Sequence, residues 1–303
     1  MSITVNTNMQ ALRIQSNLNS ATDKMNTAME RMASGSKINS AKDDAAGLAV
    51  STTLSKTISS SKVASDNVKM GQDLLSTAEG TLDVIMTNLV RVRDLTEQAA
   101  NGTYSGADKT AIAAEITARL SQVNTLASSA TFNGTALFAG AGTAVSIQSG
   151  TSATSQTALS GSIFAAISSQ TVLTIPGGSP VGTPTTLAVA AGAAVTNDLA
   201  YAVGNGGTSA EIGLFLTTLD VAISGITTRE TAIGAAQNQL QAVADGLEVQ
   251  QTNLSSALST IRDADVAQES AAYVQSQILQ QASASLLVQA NSAPQIALTL
   301  IKG

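Results

Sequence analysis

Eight large aliphatic residues recur at an unbroken interval of seven: Ile212, Leu219, Ile226, Ile233, Leu240, Leu247, Leu254 and Ile261. An aliphatic period of seven sustained over that distance predicts one continuous α-helix with a coiled-coil seam. About 50 residues of helix span roughly 75 Å. The companion column runs Leu216, Ile223, Glu230, Gln237, Ala244, Gln251 and Leu258. It is apolar at its ends and polar in its middle, so the surface it packs against is not a simple symmetric leucine zipper.

Partners for this helix must come from elsewhere in the chain, and the N-terminal flank supplies them. Ile14, Leu18, Ala21, Met25, Ala28 and Met32 alternate steps of four and three, the spacing of one helical face. Gly35 then fits a C-terminal cap, where positive φ costs glycine little. Ser40-Ala41-Lys42-Asp43 reads as a capping box that opens the next helix. That helix carries Val68, Gly71, Leu75, Ala78, Leu82, Ile85, Leu89 and Val92. Asn101-Gly102 and Ser105-Gly106 interrupt it, and Ile112, Ile116, Leu120, Val123 and Ala127 mark a third segment. Ala272, Leu279, Ala282, Leu286, Ala290 and Ala293 mark a last helix ahead of Pro294.

The middle is different. Between 132 and 210 the only charged residue is Asp198, and three of the four prolines (Pro176, Pro180, Pro184) fall there. Short β-branched runs at 144–147 and 171–175 alternate with Ser, Thr and Gly, which predicts hairpins and loops. The expected fold is mainly α: a discontinuous long-helix bundle of the two flanks around a small β-hairpin-rich insert. The domains are 1–42 with 264–303, 43–140 with 211–263, and the insert 141–210. The chain goes out and returns, with both termini at one end of a rod. The terminal stripes are weak, being largely Ala and Met. Such a pair is marginal alone and calls for cover from neighbouring copies.

Composition removes most chemistries. The 303 residues contain no Cys, His or Trp. That excludes Ser-His-Asp and Cys-His nucleophile arrangements and the usual zinc sites. It also leaves no disulfide framework. With 15 Lys+Arg against 21 Asp+Glu, the net charge of −6 argues against binding a phosphate backbone. Mean hydropathy of +0.19 comes largely from alanine. No apolar run reaches eighteen residues, so no transmembrane span is expected. The start, MSITVNTNMQALRIQ, lacks the regions of a cleavable secretory signal. The protein either stays inside or leaves by a route that reads something else.

Several long motifs are familiar as a set. Arg31-Met-Ala-Ser-Gly-Ser-Lys-Ile-Asn-Ser-Ala-Lys-Asp-Asp-Ala-Ala-Gly-Leu-Ala49 and Asn88-Leu-Val-Arg-Val-Arg-Asp-Leu-Thr-Glu-Gln-Ala-Ala-Asn101 resemble the N-terminal signature of bacterial flagellins. The Phe132-Asn133-Gly134 turn is similar to the one closing that family's N-terminal helical segment. Ile261-Arg-Asp-Ala-Asp-Val-Ala-Gln-Glu269 and Leu287-Val-Gln-Ala-Asn-Ser-Ala-Pro294 resemble its C-terminal signature. The resemblance covers about 1–138 and 213–303. It implies a self-polymerising subunit of the flagellar filament, a helical propeller, exported unfolded through the flagellar type III apparatus. Implied partners are other copies, a cap protein, hook-filament junction proteins and an export chaperone. No cofactor, nucleic acid or membrane is implied. The insert is short for the family, so a thin outer surface is expected. The ending Leu298-Thr-Leu-Ile-Lys-Gly303 departs from the commonest one.

By the same resemblance, Leu89, Arg91, Leu95 and Glu115 match the patch read by the flagellin-sensing Toll-like receptor, with Val90 where many flagellins carry a polar residue. The plainer reading is packing between subunits. Asp43, Asp44, Arg262, Asp263, Asp265 and Glu269 are assigned to assembly and register. Read as paired acids, some of them would suit general acid–base work or a hard cation. Capping and ion pairing, with Asp265 and Glu269 one turn apart, account for them more simply. Met9, Met25, Met29 and Met32 read as one flexible apolar stripe. The Ser/Thr-rich stretch at 151–157 reads as a solvated loop, with O-glycosylation as the sharper alternative.

Three other functions fit parts of the pattern. A hook-filament junction protein shares the terminal architecture. A coiled-coil signalling hairpin needs a membrane or sensory segment at its outer end. A carboxylate-only glycosidase needs an aromatic-lined pocket, which four Phe and three Tyr hardly supply.

Overall fold

The computed structural model describes residues 8–138, 144–152, 154–167 and 209–302. The chain runs α1 (Met9–Ser34), α2 (Ala45–Ala100), α3 (Gly106–Ser129), β1 (Thr131–Phe132), β2 (Thr135–Ala136), β3 (Val145–Gln148), β4 (Gln156–Leu159), α4 (Ser209–Arg262) and α5 (Val266–Lys302). The protein is mainly helical. Its N- and C-terminal helices pack together, α1 with α5 and α2 with α4, beside two small antiparallel hairpins.

Local chemistry sets the helix ends. The Asn8 side chain caps α1 by accepting from the Ala11 N–H, and Gly35 closes it at φ 68°. α2 does not start on the expected capping box. Asp43 folds back on Ser40, accepting from its N–H at 2.9 Å and its hydroxyl at 3.0 Å. Asp44 is the cap, its Oδ1 accepting from the Ala46 and Gly47 N–H groups at 3.0 and 2.9 Å. The Ser-x-x-Asp pattern is thus a turn that delivers the next residue to the cap position. A full capping box lies instead at Ser105 and Asp108, opening α3. Asn133 (φ 49°) and Gly134 (φ 78°) make the tight β1–β2 turn.

The chain divides into two compact units, residues 1–59 with 250–303 and residues 60–249. The second unit holds the main core. Val68, Leu75, Leu82, Ile85 and Val92 of α2, Ile116 of α3, and Leu219, Ile233 and Leu240 of α4 are all buried completely. Ile147, Leu159, Ile163 and Phe164 of the insert close over the same core. Each such side chain contributes about 1.5–3 kcal/mol on burial. Within this unit α4 buries Phe215, Ala222 and Ala236 beside the aliphatic column. The companion column is therefore one residue earlier than the heptad reading placed it. Leu216, Ile223, Glu230, Gln237 and Ala244 are half-buried flanks. A helix packed against two others and a hairpin buries a wider face than a two-stranded seam does.

The first unit is built differently. α1 and α5 pair, yet their buried residues are small: Ala21, Ala28 and Ser276. The face of α5 turned to α1 also differs from expectation. Ala272, Ser276, Gln280, Ser283, Leu287 and Ala290 are its sheltered positions, while Leu279, Ala282 and Leu286 are exposed. Small and polar side chains make up most of that face, with Leu287 its one leucine, and Gln280 donates to the Thr22 hydroxyl at 3.1 Å. The methionines split likewise. Met25 and Met32 are half-buried, Met9 and Met29 exposed. α5 also does not stop at Pro294 but continues to Lys302. The expected run at 171–175 and the three central prolines lie outside the described residues.

Candidate interaction surfaces

Six members of the heptad column (Ile212, Leu219, Ile226, Ile233, Leu240 and Leu247) are 6% exposed or less. Leu254 and Ile261, in the first unit, are half-buried. Residues seven apart, two turns on, lie on one face of a helix, so that face of α4 changes from fully buried at Leu247 to half-buried at Leu254.

The polar residues assigned to register lie around the breaks between α1 and α2 and between α4 and α5. The Lys37 N–H donates to the Arg262 carbonyl at 2.6 Å, and the Ala264 N–H to the Gly35 carbonyl at 2.9 Å. Ser36 and Asp263 thereby form an isolated antiparallel bridge. Arg262 contributes its carbonyl, while its side chain is exposed. Asp265 is the cap of α5: its Oδ1 accepts from the Ala267 and Gln268 N–H groups at 2.9 and 3.2 Å. Glu269, one turn on, pairs with Arg31 at 3.3 Å, bringing α5 to α1. Asp265 and Glu269 therefore do two separate jobs rather than facing one cation together. Asp43 is held below the usual carboxylate range, first by the Ser40 hydroxyl and then by its N–H. Among the described residues no group of three His, Cys, Asp or Glu could hold a metal ion.

The four residues of the receptor-like patch separate into two kinds. Leu89 and Leu95 are buried, at 6% and 2% exposure, and belong to the core. Arg91 and Glu115 reach solvent and pair at 3.5 Å. Arg119, which the sequence reading passed over, pairs with the same Glu115 oxygen at 3.0 Å and donates to Asn88 at 3.4 Å. The Arg119 bond, with Arg91 nearby, lowers the Glu115 carboxyl below its usual range. Its i,i+4 spacing from Glu115 was the available signal. Val90 lies beside them, 41% exposed. The accessible patch is thus a carboxylate between two guanidiniums with an apolar neighbour.

Two further contacts tie α4 into its unit. Arg93 donates to Asp220 at 2.7 Å, and that bond raises the guanidinium above its usual range. Arg229 donates to the Ala165 carbonyl of the insert at 2.5 Å, and burial lowers its pKa. Glu230, on the half-buried flank of α4, is raised by burial and by Asp83 and Glu79 of α2.

Among the described residues, α5 carries the most exposed large aliphatic side chains. Val274, Ile278, Leu279, Leu286 and Val288 are between 49% and 72% exposed. Ser270, Ala271, Val274, Gln275, Ile278 and Leu279 line a shallow apolar groove along this helix. On α1, Met9, Leu12 and Met29 are exposed as well. Monomeric proteins rarely leave so much contiguous aliphatic surface in water. Yet no described helix is long and apolar enough to cross a membrane.

Comparison with known proteins gives this surface a setting. Residues 5–143 match the family model for the bacterial flagellin N-terminal helical region, and residues 216–301 the model for the C-terminal helical region. Flagellin D of Vibrio anguillarum is 32% identical over 380 aligned positions, covering 99% of this chain and 100% of that one. The flagellar filament 30.7 kDa core protein of Treponema maltophilum is 32% identical over 297 positions, covering 98% and 99%. The first alignment is far longer than the present chain, and the second nearly matches it. A solved structure of a protein described as flagellar hook-associated, from Vibrio parahaemolyticus, shares the fold. Its TM-score is 0.58 at 16% identity, covering 73% of this chain and all of that one.

Proposed function

This chain belongs to the bacterial flagellin family, and from that premise we propose how its parts serve the filament. The protein is the structural, non-enzymatic subunit of the flagellar filament, an extracellular polymer of itself. The pairing of 1–42 with 264–303 forms the inner layer of the polymer. The segments 43–140 and 211–263 form the next layer, and 141–210 lies at the outer surface. One observation carries this assignment: α5 turns mostly small and polar residues to α1 and leaves Val274, Ile278, Leu279 and Leu286 exposed. A face so apolar is stable in water only when another copy covers it.

The register residues act at the ends of these layers. The Arg31–Glu269 pair and the caps at Asp44 and Asp265 hold the helix ends in place before assembly. The subunit travels unfolded through the flagellar type III apparatus, with a chaperone on its C-terminal region. It joins the filament at the cap protein and above the hook-filament junction. The free monomer presents Arg91 and Glu115 to a host Toll-like receptor, with Leu89 and Leu95 behind them as packing.

Polymerisation tests the central reading. Acid- or heat-dissociated subunits are expected to regrow filaments of constant diameter when seeded, as negative-stain microscopy reads. Deleting 1–40 or 265–303 is expected to abolish regrowth while a soluble helical fragment survives. Normal filaments from both deletions would overturn the layer assignment. For the receptor contact, Arg91→Ala in free monomer is expected to weaken binding at least tenfold, and unchanged affinity would discard it.

A further inference from the structure

The α5 helix carries a proline in its interior, and the compensation comes from another helix. In an α-helix each carbonyl accepts from the N–H four residues on. Proline has no N–H, so Pro294 cannot serve the Ala290 carbonyl. α5 nevertheless continues to Lys302. The donor comes from Asn8, whose Nδ2 lies 2.8 Å from the Ala290 carbonyl oxygen.

Asn8 is already engaged. Its Oδ1 accepts from the Ala11 N–H at 3.0 Å as the cap of α1. One planar amide therefore serves two helices, closing the first turn of α1 with its oxygen and reaching α5 with its nitrogen. With the oxygen fixed, the nitrogen has little freedom in where it points. A slip of one residue moves it about 1.5 Å along the axis, and a slip of one turn about 5.4 Å. Neighbouring carbonyls of α5 already hold their own helical bonds. Ahead of the last turn, the carbonyl facing Pro294 is the one left open.

The backbone bridge of Ser36 and Asp263 joins this pair at the end where α1 stops and α5 starts, and along the helices towards Asn8 the contacts are weaker guides to alignment. The buried seam is Ala21, Ala28 and Ser276, and small side chains fit equally well one step along. The Gln280–Thr22 and Arg31–Glu269 contacts use long side chains that can follow a slip. We propose that Asn8 and Pro294 form a register lock between α1 and α5. The proline creates an open acceptor in the interior of α5, ahead of the open carbonyls of its last turn, and the Asn8 amide reads it. Asn8 is a positioning residue, and the proline is a position marker rather than a helix terminator.

The chain has no cysteine, so two introduced thiols report alignment without background. In the full-length protein, Thr22→Cys with Gln280→Cys marks the observed register, and Thr22→Cys with Ala284→Cys marks a slip of one turn. A short bifunctional methanethiosulfonate reagent is expected to join the first pair preferentially. Asn8→Asp keeps the capping oxygen and loses the donor; Asn8→Ser also caps, without charge, and is too short to reach α5. Both are expected to lower the in-register preference about fivefold, the worth of one net hydrogen bond. Pro294→Ala restores the helical N–H, and in that background the same Asn8 changes are expected to shift the preference less than twofold. Equal crosslinking of the two pairs with Asn8 and Pro294 intact would overturn the lock. So would an Asn8 effect of equal size in both backgrounds, or none in either. Helical content by circular dichroism confirms that the variants being compared are folded. The readout is alignment within one chain, so it stands whether or not the subunits polymerise.

Discussion

Helices α1 and α5 are as regular as α2 and α4, yet the two pairs are held together by different means. In residues 60–249 the contact between helices is large aliphatic side chains, completely buried. In residues 1–59 with 250–303 the fully buried residues between α1 and α5 are alanine and serine, joined by a few polar bonds, while Val274, Ile278, Leu279 and Leu286 stay exposed. The first arrangement is stable within one chain. The second leaves much of its large aliphatic surface uncovered within one chain. Helix formation alone does not decide where stability resides. What decides it is which face of each helix finds cover.

The contrast can be broken at its strongest point. Leu240→Ala removes a fully buried side chain of the second unit. It is expected to cost about 3 kcal/mol and to lower the monomer melting temperature by roughly 10 °C in scanning calorimetry. Leu286→Ser, at a position 55% exposed, is expected to change monomer stability by less than about 0.5 kcal/mol. The critical concentration for polymerisation should nevertheless rise about tenfold or more, as sedimentation reads. Equal monomer melting of the two variants would erase the distinction between the units.

Smaller effects sharpen the comparison. Arg93→Ala removes the 2.7 Å contact to Asp220 between α2 and α4. The pair is exposed, so a fall of about 1–2 °C in melting temperature is expected at low salt, vanishing at 1 M salt. Glu230→Gln should act in the opposite direction. Burial and the nearby Asp83 and Glu79 raise the folded carboxyl above its unfolded value. Its ionisation therefore costs stability as pH rises through the folded pKa, and below the unfolded pKa no cost remains. The glutamine is expected to raise melting by about 1 °C at pH 7 and to leave it unchanged below about pH 4. A destabilisation at pH 7 would show that Glu230 contributes more as a charge than it costs.

Much of this architecture is legible in the sequence because periodicity reports burial directly. The column from Ile212 to Leu247 is the clearest case: a strict interval of seven left one face to bury. The companion column was displaced by one residue because α4 packs against α2, α3 and the insert at once, which a two-helix pattern does not anticipate. The outward face of α5 was hidden for a related reason. Leu279 and Leu286 look like core by their spacing, yet α5 turns a different face to α1 and leaves both exposed. The capping errors were local. Asp43 and Asp44 are adjacent and chemically identical, and only the geometry of the turn chooses between them. In the receptor-like patch, resemblance named Arg91 and Glu115 but not that Leu89 and Leu95 are buried. Arg119 was readable from its i,i+4 spacing to Glu115.

The bridge between Ser36 and Asp263 bears on how freely this stretch of sequence can vary. Its bonds run from the Lys37 and Ala264 N–H groups to the Arg262 and Gly35 carbonyls. All four groups belong to the backbone, so substitution of side chains leaves the join intact. Proline is the exception, because it alone removes an N–H. Positions 37 and 264 are thus open to nineteen amino acids as far as this join is concerned and closed to one. At these two positions the join is limited by a missing hydrogen rather than by size, charge or hydrophobicity, whereas at Gly35 the positive φ of 68° favours glycine.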